Sequence, residues 1–191
     1  MMRTKLSLLI LLVAMCISGC KEKYTPKPSG YFRIQFPEKN YQKLAPEYPF
    51  CFEYPTYARV EKDSSKMAEP YWINICADAY NVKFHLSYKP IKGNLAELAE
   101  ESRDLVYKHS IKANTINEKI FTNPDHNVYG TIYELKGNTA SPYQFYLTDS
   151  TTHFLRGSFY ISEIPNYDSL YPVIVFFEKD IKHMIETFTW K

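Results

Sequence analysis

The chain of 191 residues carries 23 Lys and Arg against 21 Asp and Glu. Arg3 and Lys5 lie in an apolar N-terminal segment, and without them the basic and acidic residues balance at 21 each. A neutral chain without a run of basic residues gives no reason to expect nucleic-acid binding or electrostatic attachment to a membrane surface. Hydrophobic residues make up 45% of the sequence, with 17 Tyr and 12 Phe but only 6 Gly, which favours one strand-rich domain over disorder.

The N-terminal segment is typical of a secretory signal peptide. Its start is basic, and the apolar or small run over residues 6–17 is too short to cross a membrane as a helix. The string Ile17-Ser18-Gly19-Cys20 resembles the bacterial lipobox, in which the cysteine thiol accepts a diacylglyceryl group and a peptidase cuts the preceding bond. The alternative is an ordinary signal peptide with a cysteine at the cut by chance. We expect a signal peptide over residues 1–19, cleavage between Gly19 and Cys20, and lipidation of Cys20.

With the expected acyl chains on Cys20, the first predicted partner is the lipid bilayer. Each buried CH₂ contributes about 0.8 kcal/mol, so several chains would make the attachment effectively permanent. We expect residues 20–30 to be a polar tether, in which two prolines favour extended backbone, and residues 31–191 to be a single domain that faces the periplasm. Lys21 stands where an Asp would signal inner-membrane retention in many Gram-negative bacteria, so the choice of inner or outer membrane stays open.

The first half of the domain contains short alternating segments that predict strands. They cover residues 31–34, 50–54, 57–60, 71–76 and 82–88, and the last two form a hairpin through residues 77–81. In this pattern Cys51 and Cys76 both lie opposite the apolar side chains of their strands. A disulfide between them is possible outside the cytoplasm if the two strands are neighbours. Two free thiols are the alternative.

A helix is predicted after the second hairpin strand. Asn94 is its expected N-cap, and Glu97 stands at the spacing of a capping box. Apolar side chains from Leu95 to Val106 form one stripe, and charged side chains cover the opposite side. This pattern is typical of a helix that lies on a sheet with a solvated outer face.

Four further alternating segments cover residues 115–121, 128–136, 143–148 and 153–161, and turn-forming residues separate them. They predict an antiparallel meander. A second helix follows, capped by Asp168 or Ser169, with Pro172 tolerated in its first turn and an apolar stripe from Leu170 to Phe188. The sequence therefore predicts an α+β domain in which an antiparallel sheet of about six to eight strands is covered by two long helices. This layout looks like the Mog1/PsbP-like sandwich, a likeness in pattern that implies nothing about function.

The residues that bear chemistry do not form a recognisable catalytic motif. The sequence has no glycine-rich phosphate loop, no Gly-x-Ser-x-Gly elbow and no Cys-x-x-Cys, and its 5 histidines lack metal-ligand spacing. The string Asp149-Ser150-Thr151-Thr152-His153 contains the residue types of a triad. Neighbours in one turn, however, seldom align as nucleophile, base and orienting group. We therefore predict a protein that is not an enzyme, with no catalytic residue, cofactor or metal site.

The outer side of the second helix is the predicted partner surface. Phe176 and His183 point away from the apolar stripe, with Lys179 and Asp180 near them. On a tethered protein without a catalytic motif, a mixed aromatic and charged strip suits the binding of another protein. An exposed Phe without a function is the alternative.

Several strings resemble the gliding-motility lipoprotein family GldD of the Bacteroidetes. They include YTPKPSGYFRI at residues 24–34 and ASPYQFYLTDS at residues 140–150, with further strings at 85–90, 153–157 and 180–188. The resemblance implies a role in gliding motility and its associated type 9 protein secretion machinery. The family supplies no catalytic motif, and only Cys20 transfers as a functional residue. Its usual genetic neighbour is an integral membrane protein, which suggests an inner-membrane complex. Cys51 and Cys76 are not part of the family pattern, which weighs against the disulfide.

Three functions follow from these observations. The preferred one is a membrane-tethered component that binds other proteins of the motility and secretion apparatus. The second is an enzyme or small-ligand carrier, which the turn at residues 149–153 and the Tyr-rich strands would serve. The third is a folding or assembly factor for exported substrates.

Overall fold

The alternating segments pair into antiparallel sheets. The structure is a computed structural model that describes residues 34–191. The signal peptide, the tether and the expected strand at residues 31–34, apart from Ile34, lie outside the described residues. The strands are β1 (Tyr41–Lys43), β2 (Phe50–Cys51), β3 (Glu53–Pro55), β4 (Arg59–Lys62), β5 (Ile73–Ala77), β6 (Val82–Pro90), β7 (Ala113–Asn123), β8 (Val128–Gly137), β9 (Tyr143–Thr148), β10 (His153–Ile161) and β11 (Thr189–Trp190).

Seven of these strands form the main sheet, in the order β4-β5-β6-β10-β9-β8-β7. Every neighbouring pair is antiparallel. Strands β5 and β6 form the predicted hairpin, and β7 to β10 form the predicted meander. The last strand of the meander lies beside β6, so the hairpin and the meander join into one sheet.

Two of the hairpins turn in the same way. A single turn of 3₁₀-helix, Asp78–Tyr80 or Pro124–His126, is followed by an asparagine in the left-handed region. The φ angles are 52° at Asn81 and 51° at Asn127. Asparagine tolerates this conformation better than most residues because its short polar side chain can bond locally. In both cases the next residue, a buried valine, begins the returning strand.

The two helices are α1 (Leu95–Tyr107) and α2 (Tyr167–Glu186). The expected capping box of α1 is wrong, because the Asn94 side chain accepts a hydrogen bond from the Lys92 N–H at 2.9 Å and none from the helix. Helix α2 begins earlier than predicted. Its cap is Asn166, which accepts from the Ser169 N–H at 3.3 Å, so Pro172 lies in the second turn and not the first.

The helices lie on opposite faces of the main sheet. Buried residues of α2 pack with Phe84, Phe145 and Phe159, and the Phe159 and Phe177 rings are 5.8 Å apart. On the other face, Val106 of α1 packs in a small cluster with buried residues of β8. The expectation of a sheet covered by two helices is therefore refined to one helix on each face, with most of the apolar core under α2.

The N-terminal strands form two small sheets of their own. Strand β1 pairs with β3, and β2 pairs with β11, which follows α2. The predicted strand over residues 50–54 is thus divided between two partners. Cys51 lies opposite Thr189, whereas Cys76 lies in the main sheet between Arg59 and Lys83, so the strands of the two cysteines are not neighbours. Both cysteines are free thiols.

Neither helix within residues 34–191 combines the length and apolar character needed to span a bilayer.

Gly157 in β10 provides a test of core packing. A Cβ atom at this position would lie 2.2 Å from Cζ of Phe145 on the α2 face. We expect Gly157→Ala to lower the free energy of unfolding by about 1–3 kcal/mol because the ring has to shift in a packed core, as measured by urea denaturation. In the double variant Gly157→Ala, Phe145→Leu, the two losses should be less than additive. Strictly additive losses would contradict this explanation.

Candidate functional site

Helix α2 carries a buried carboxylate on the side that faces residues 36–57, which we call the N-terminal segment. Asp180 is 2% exposed. It accepts hydrogen bonds from Lys39 Nζ at 2.6 Å, from the Tyr41 hydroxyl at 3.0 Å and from the Tyr57 hydroxyl. One cation and two hydroxyl donors thus replace the water that a carboxylate loses on burial. We call these four side chains the Asp180 clamp.

The electrostatics favour the protonated form of the two tyrosine donors of the clamp. Burial, together with the charge of Asp180, raises the pKa of Tyr41 to about 12, and burial also raises the pKa of Tyr57. Burial lowers the pKa of Lys39, while its hydrogen bond and ion pair with Asp180 oppose that change. The 2.6 Å contact between Lys39 and Asp180 has the geometry of a charge-assisted hydrogen bond.

Aromatic contacts extend the clamp along α2. The Phe36 ring stacks on Phe176 at 4.2 Å, and Lys39 Nζ lies 3.1 Å from the centre of the Phe176 ring. The Tyr41 ring stacks on His183 at 3.7 Å, and His183 Nε2 lies 2.8 Å from Glu53 Oε2. Each contact joins α2 to the N-terminal segment.

These contacts correct the predicted partner surface. Asp180 is buried under the N-terminal segment, and Phe176 and His183 are half-buried against it. Of the four predicted residues only Lys179 is exposed. Helical periodicity identified a side of α2 that is not on the sheet. It gave no sign that another part of the same chain covers that side.

The turn at residues 149–153 uses its polar residues for structure. Asp149 Oδ1 accepts the backbone N–H groups of Thr151, Thr152 and His153 at 2.7–3.0 Å. The His153 ring is held elsewhere, with Nδ1 2.8 Å from the Tyr88 hydroxyl and the ring stacked on Trp190. The side chains of Asp149 and His153 therefore bond to different groups and do not form the acid–histidine pair of a triad.

A cavity lined by polar and apolar side chains lies between α1 and the main sheet, and no sequence motif marks it. It has a volume of about 100 Å³, and Arg156 of β10 lines it together with side chains of β6 and α1. The Arg156 Nη2 group donates a hydrogen bond of 2.6 Å to Gln144 Oε1. Burial lowers the pKa of Arg156 and of the nearby His85 and His109. The one sequence signal was the alternation of β10, which places Arg156 on the same face as Phe154 and opposite the α2 core.

Strand β7 is the end strand of the main sheet, and no other strand within residues 34–191 pairs with its outer edge, which we call the free edge. It has 11 residues and pairs with β8 on one side. Ile120 on this strand is 85% exposed. A long edge strand with an exposed apolar residue is a natural place for another protein to bind.

Residues 34–191 contain no group of three or more His, Cys, Asp or Glu side chains placed to hold a metal ion.

The Asp180 clamp yields a stability prediction. Asp180→Ala would leave Lys39 and two tyrosine hydroxyls partly buried without their acceptor, and we expect it to lower the free energy of unfolding by about 3 kcal/mol. Urea denaturation monitored by circular dichroism measures the change. The matched control is Glu186→Ala, which removes the same charge at an exposed position of the same helix and should change stability by less than about 0.5 kcal/mol. Equal effects of the two variants would contradict a stabilising role of the clamp.

Comparison with known proteins assigns the chain to a family. A family model described as gliding motility lipoprotein GldD matches residues 21–190. No curated protein matches the chain. A similar solved structure is the solution structure of cyanobacterial PsbP (CyanoP) from Synechocystis sp. PCC 6803, with a TM-score of 0.49 and 11% identity, covering 81% of this chain and 95% of that chain. Because the family match extends from the residue after Cys20 into β11, the chain belongs to the gliding motility lipoprotein GldD family.

Proposed function

We propose that this chain is a lipid-anchored, periplasm-facing component of the gliding motility and type 9 protein secretion machinery, and that it acts by binding other proteins of that machinery. The observation that carries the proposal is the family match from residue 21, which begins directly after the expected lipid attachment at Cys20. The family is described by its role in motility and by its lipoprotein nature. The proposal adds the secretion machinery, the orientation and the mode of action.

The Asp180 clamp supports a role that depends on the anchor. It joins the helix α2 to Lys39, in the part of the chain that follows the tether. A fully extended chain spans at most about 3.4 Å per residue, so residues 20–39 hold the clamp within about 65 Å of the lipid. The partners of a domain held at this distance are in the membrane or close to it. An integral membrane protein meets this requirement.

The free edge of β7 supports a protein partner. The Leu135 N–H of β8 donates to the Pro142 carbonyl at 2.8 Å, on the side away from β7. Its register partner Ile116 therefore directs its own N–H and C=O outward, and by alternation Glu118 and Ile120 do the same. Natural edges are often blocked by proline or by free charges. Strand β7 contains no proline, and both of its charged side chains have partners. Glu118 is engaged by Arg103 and Tyr107 of α1, and Lys119 lies 3.8 Å from Glu134 of the neighbouring strand β8. We propose an extended strand of a partner protein as the occupant of this edge.

Complementation tests the dependence on the anchor. In cells that lack the native copy, the variant Cys20→Ala behind an ordinary secretory signal would reach the periplasm without lipid. We expect loss of gliding and of type 9 secretion at normal protein abundance, because the domain is no longer held near its partners. The matched control is the lipidated Cys51→Ala variant, which should restore both. Full restoration by the soluble Cys20→Ala chain would contradict the proposal.

Photocrosslinking tests the β7 edge. A photoreactive amino acid is placed in the lipidated protein at Ile120 or, as a control, at Ile164, which is 88% exposed outside the sheet. We expect a discrete adduct with a protein of the machinery at position 120 and not at position 164, identified by mass spectrometry. An adduct with a second copy of the chain, or no adduct at 120, would contradict this assignment of the edge.

A further inference from the structure

The sheet face beneath α1 is polar over two adjacent rows, unlike the apolar face beneath α2. Cross-strand registers place Asn74, His85, Ser158 and Gln144 in one row. The next row contains Ser87, Arg156 and Tyr146. Several of these residues are deeply buried, with Gln144 1% exposed and Ser158 3% exposed. Burying a polar row costs free energy unless each group has a hydrogen-bond partner.

Two donors in these rows have no acceptor within residues 34–191. They are Arg156 Nε and Gln144 Nε2, both inaccessible to solvent. The Arg156 Nη2–Gln144 Oε1 bond of 2.6 Å joins the two side chains and fixes the plane of the guanidinium group. A buried donor without an acceptor is destabilising, and more so when the group is charged. The hydrogen-bonding capacity of this pair is therefore not used up by the described residues.

The charge of Arg156 is also not neutralised by an ion pair with a carboxylate of the described chain. No carboxylate oxygen within residues 34–191 lies within 4.0 Å of its guanidinium nitrogens. Glu101 of α1 is the acidic side chain that lines the same cavity. Its charge favours the protonated Arg156 from a distance, whereas burial disfavours it. A half-buried guanidinium group without an ion-pair partner attracts an anionic ligand.

The walls of the cavity indicate which kind of anion fits. The polar groups come from two cations, one carboxylate and two hydroxyls, and the apolar surface comes from aromatic and aliphatic side chains. The polar residues are Arg156, Lys89, Glu101, Ser87 and Ser102, and the apolar ones include Trp72, Leu98 and Phe154. The volume of about 100 Å³ equals that of about three water molecules, which suits a carboxylate with a short hydrocarbon body. A fully hydrophilic anion such as inorganic phosphate would leave the apolar surface without a complement.

We propose that this cavity binds a small organic carboxylate. The guanidinium of Arg156 pairs with the carboxylate, Gln144 positions the guanidinium, and Trp72, Leu98 and Phe154 contact the hydrocarbon part. The carboxylate belongs to a free short-chain acid or to the C-terminal residue of a peptide. This inference does not depend on the proposed function, because it rests on residues of β6, β9, β10 and α1 and uses neither the anchor at Cys20 nor the edge of β7.

Isothermal titration calorimetry on the detergent-solubilised lipidated protein tests the proposal. The probes are 3-methylbutanoate, the neutral 3-methylbutanamide and inorganic phosphate. We expect saturable binding of 3-methylbutanoate with Kd near or below about 1 mM, and binding of the amide and of phosphate weaker by at least about tenfold. Preferential binding of phosphate, equal binding of the acid and the amide, or no saturable binding of 3-methylbutanoate would overturn the proposal.

Substitutions place the binding in the cavity. Arg156→Met should weaken 3-methylbutanoate binding by about 10- to 100-fold, and Arg156→Lys should weaken it less. The matched control Arg103→Met removes the same charge from the exposed side of α1 and should leave Kd unchanged. Because Arg156→Met could affect folding, Ser102→Leu provides a second test that fills the cavity and leaves the guanidinium in place. Unchanged Kd in folded Ser102→Leu protein would overturn the proposal.

A competition experiment distinguishes the two sources of the carboxylate. The peptide acetyl-Gly-Gly-Val, with a free C-terminus, is compared with its C-terminal amide as a competitor of 3-methylbutanoate. Competition by the free peptide and not by the amide assigns the site to peptide C-termini. Competition by neither, with 3-methylbutanoate binding intact, assigns it to free short-chain acids.

Discussion

A carboxylate that is 2% exposed is stable only when other groups replace its water, and this requirement connects Asp180 to Lys39, Tyr41 and Tyr57. The Asp180 clamp holds the N-terminal segment against α2. Phe36 can stack on Phe176 because Lys39 is fixed beside that ring. With the segment in place, β1 can pair with β3 and β2 with β11. The ion pair and hydrogen bonds of the clamp therefore stabilise the N-terminal segment in its position on α2, on the side of the helix away from the main sheet.

The two faces of the main sheet meet different physical demands. The face beneath α2 is filled with aromatic and aliphatic side chains and supplies most of the apolar burial, so it accounts for most of the stability of the fold. The face beneath α1 keeps Arg156 at the wall of a cavity and hydrogen-bonded to Gln144. A domain that needed only stability would have an apolar face there as well. The free energy gained by apolar burial beneath α2 offsets the cost of burying polar side chains beneath α1.

Strands β8, β9 and β10 could be predicted closely because strict alternation and turn residues mark both of their ends. The helices were predicted, and so was the N-terminal position of Asn94. The bond from the Lys92 N–H to Asn94 and the cap of α2 at Asn166 were not, since helical periodicity shows neither where the first turn starts nor which N–H group a capping side chain accepts. The burial of Phe176 and Asp180 could not be predicted, because helical periodicity reports one covered side and α2 has two. The site around Arg156 combines residues from strands and a helix that are distant in sequence. Alternation places each residue on a face but does not show which residues of other elements lie opposite.

The pairing of β2 with β11 also determines the order in which the molecule can form. Thr189 and Trp190 complete a sheet with Cys51 and Phe50, and the Lys191 N–H donates to the Pro49 carbonyl at 3.0 Å. Closing the long loop between β2 and β11 carries an entropic cost. The two strands cannot pair until the end of the chain, which contains β11, is present. A polypeptide that emerges N-terminus first thus presents Cys20, the proposed site of lipid attachment, while its domain is still open. Under that proposal, attachment to lipid can precede folding, and the final pairing then takes place on a chain that is already anchored.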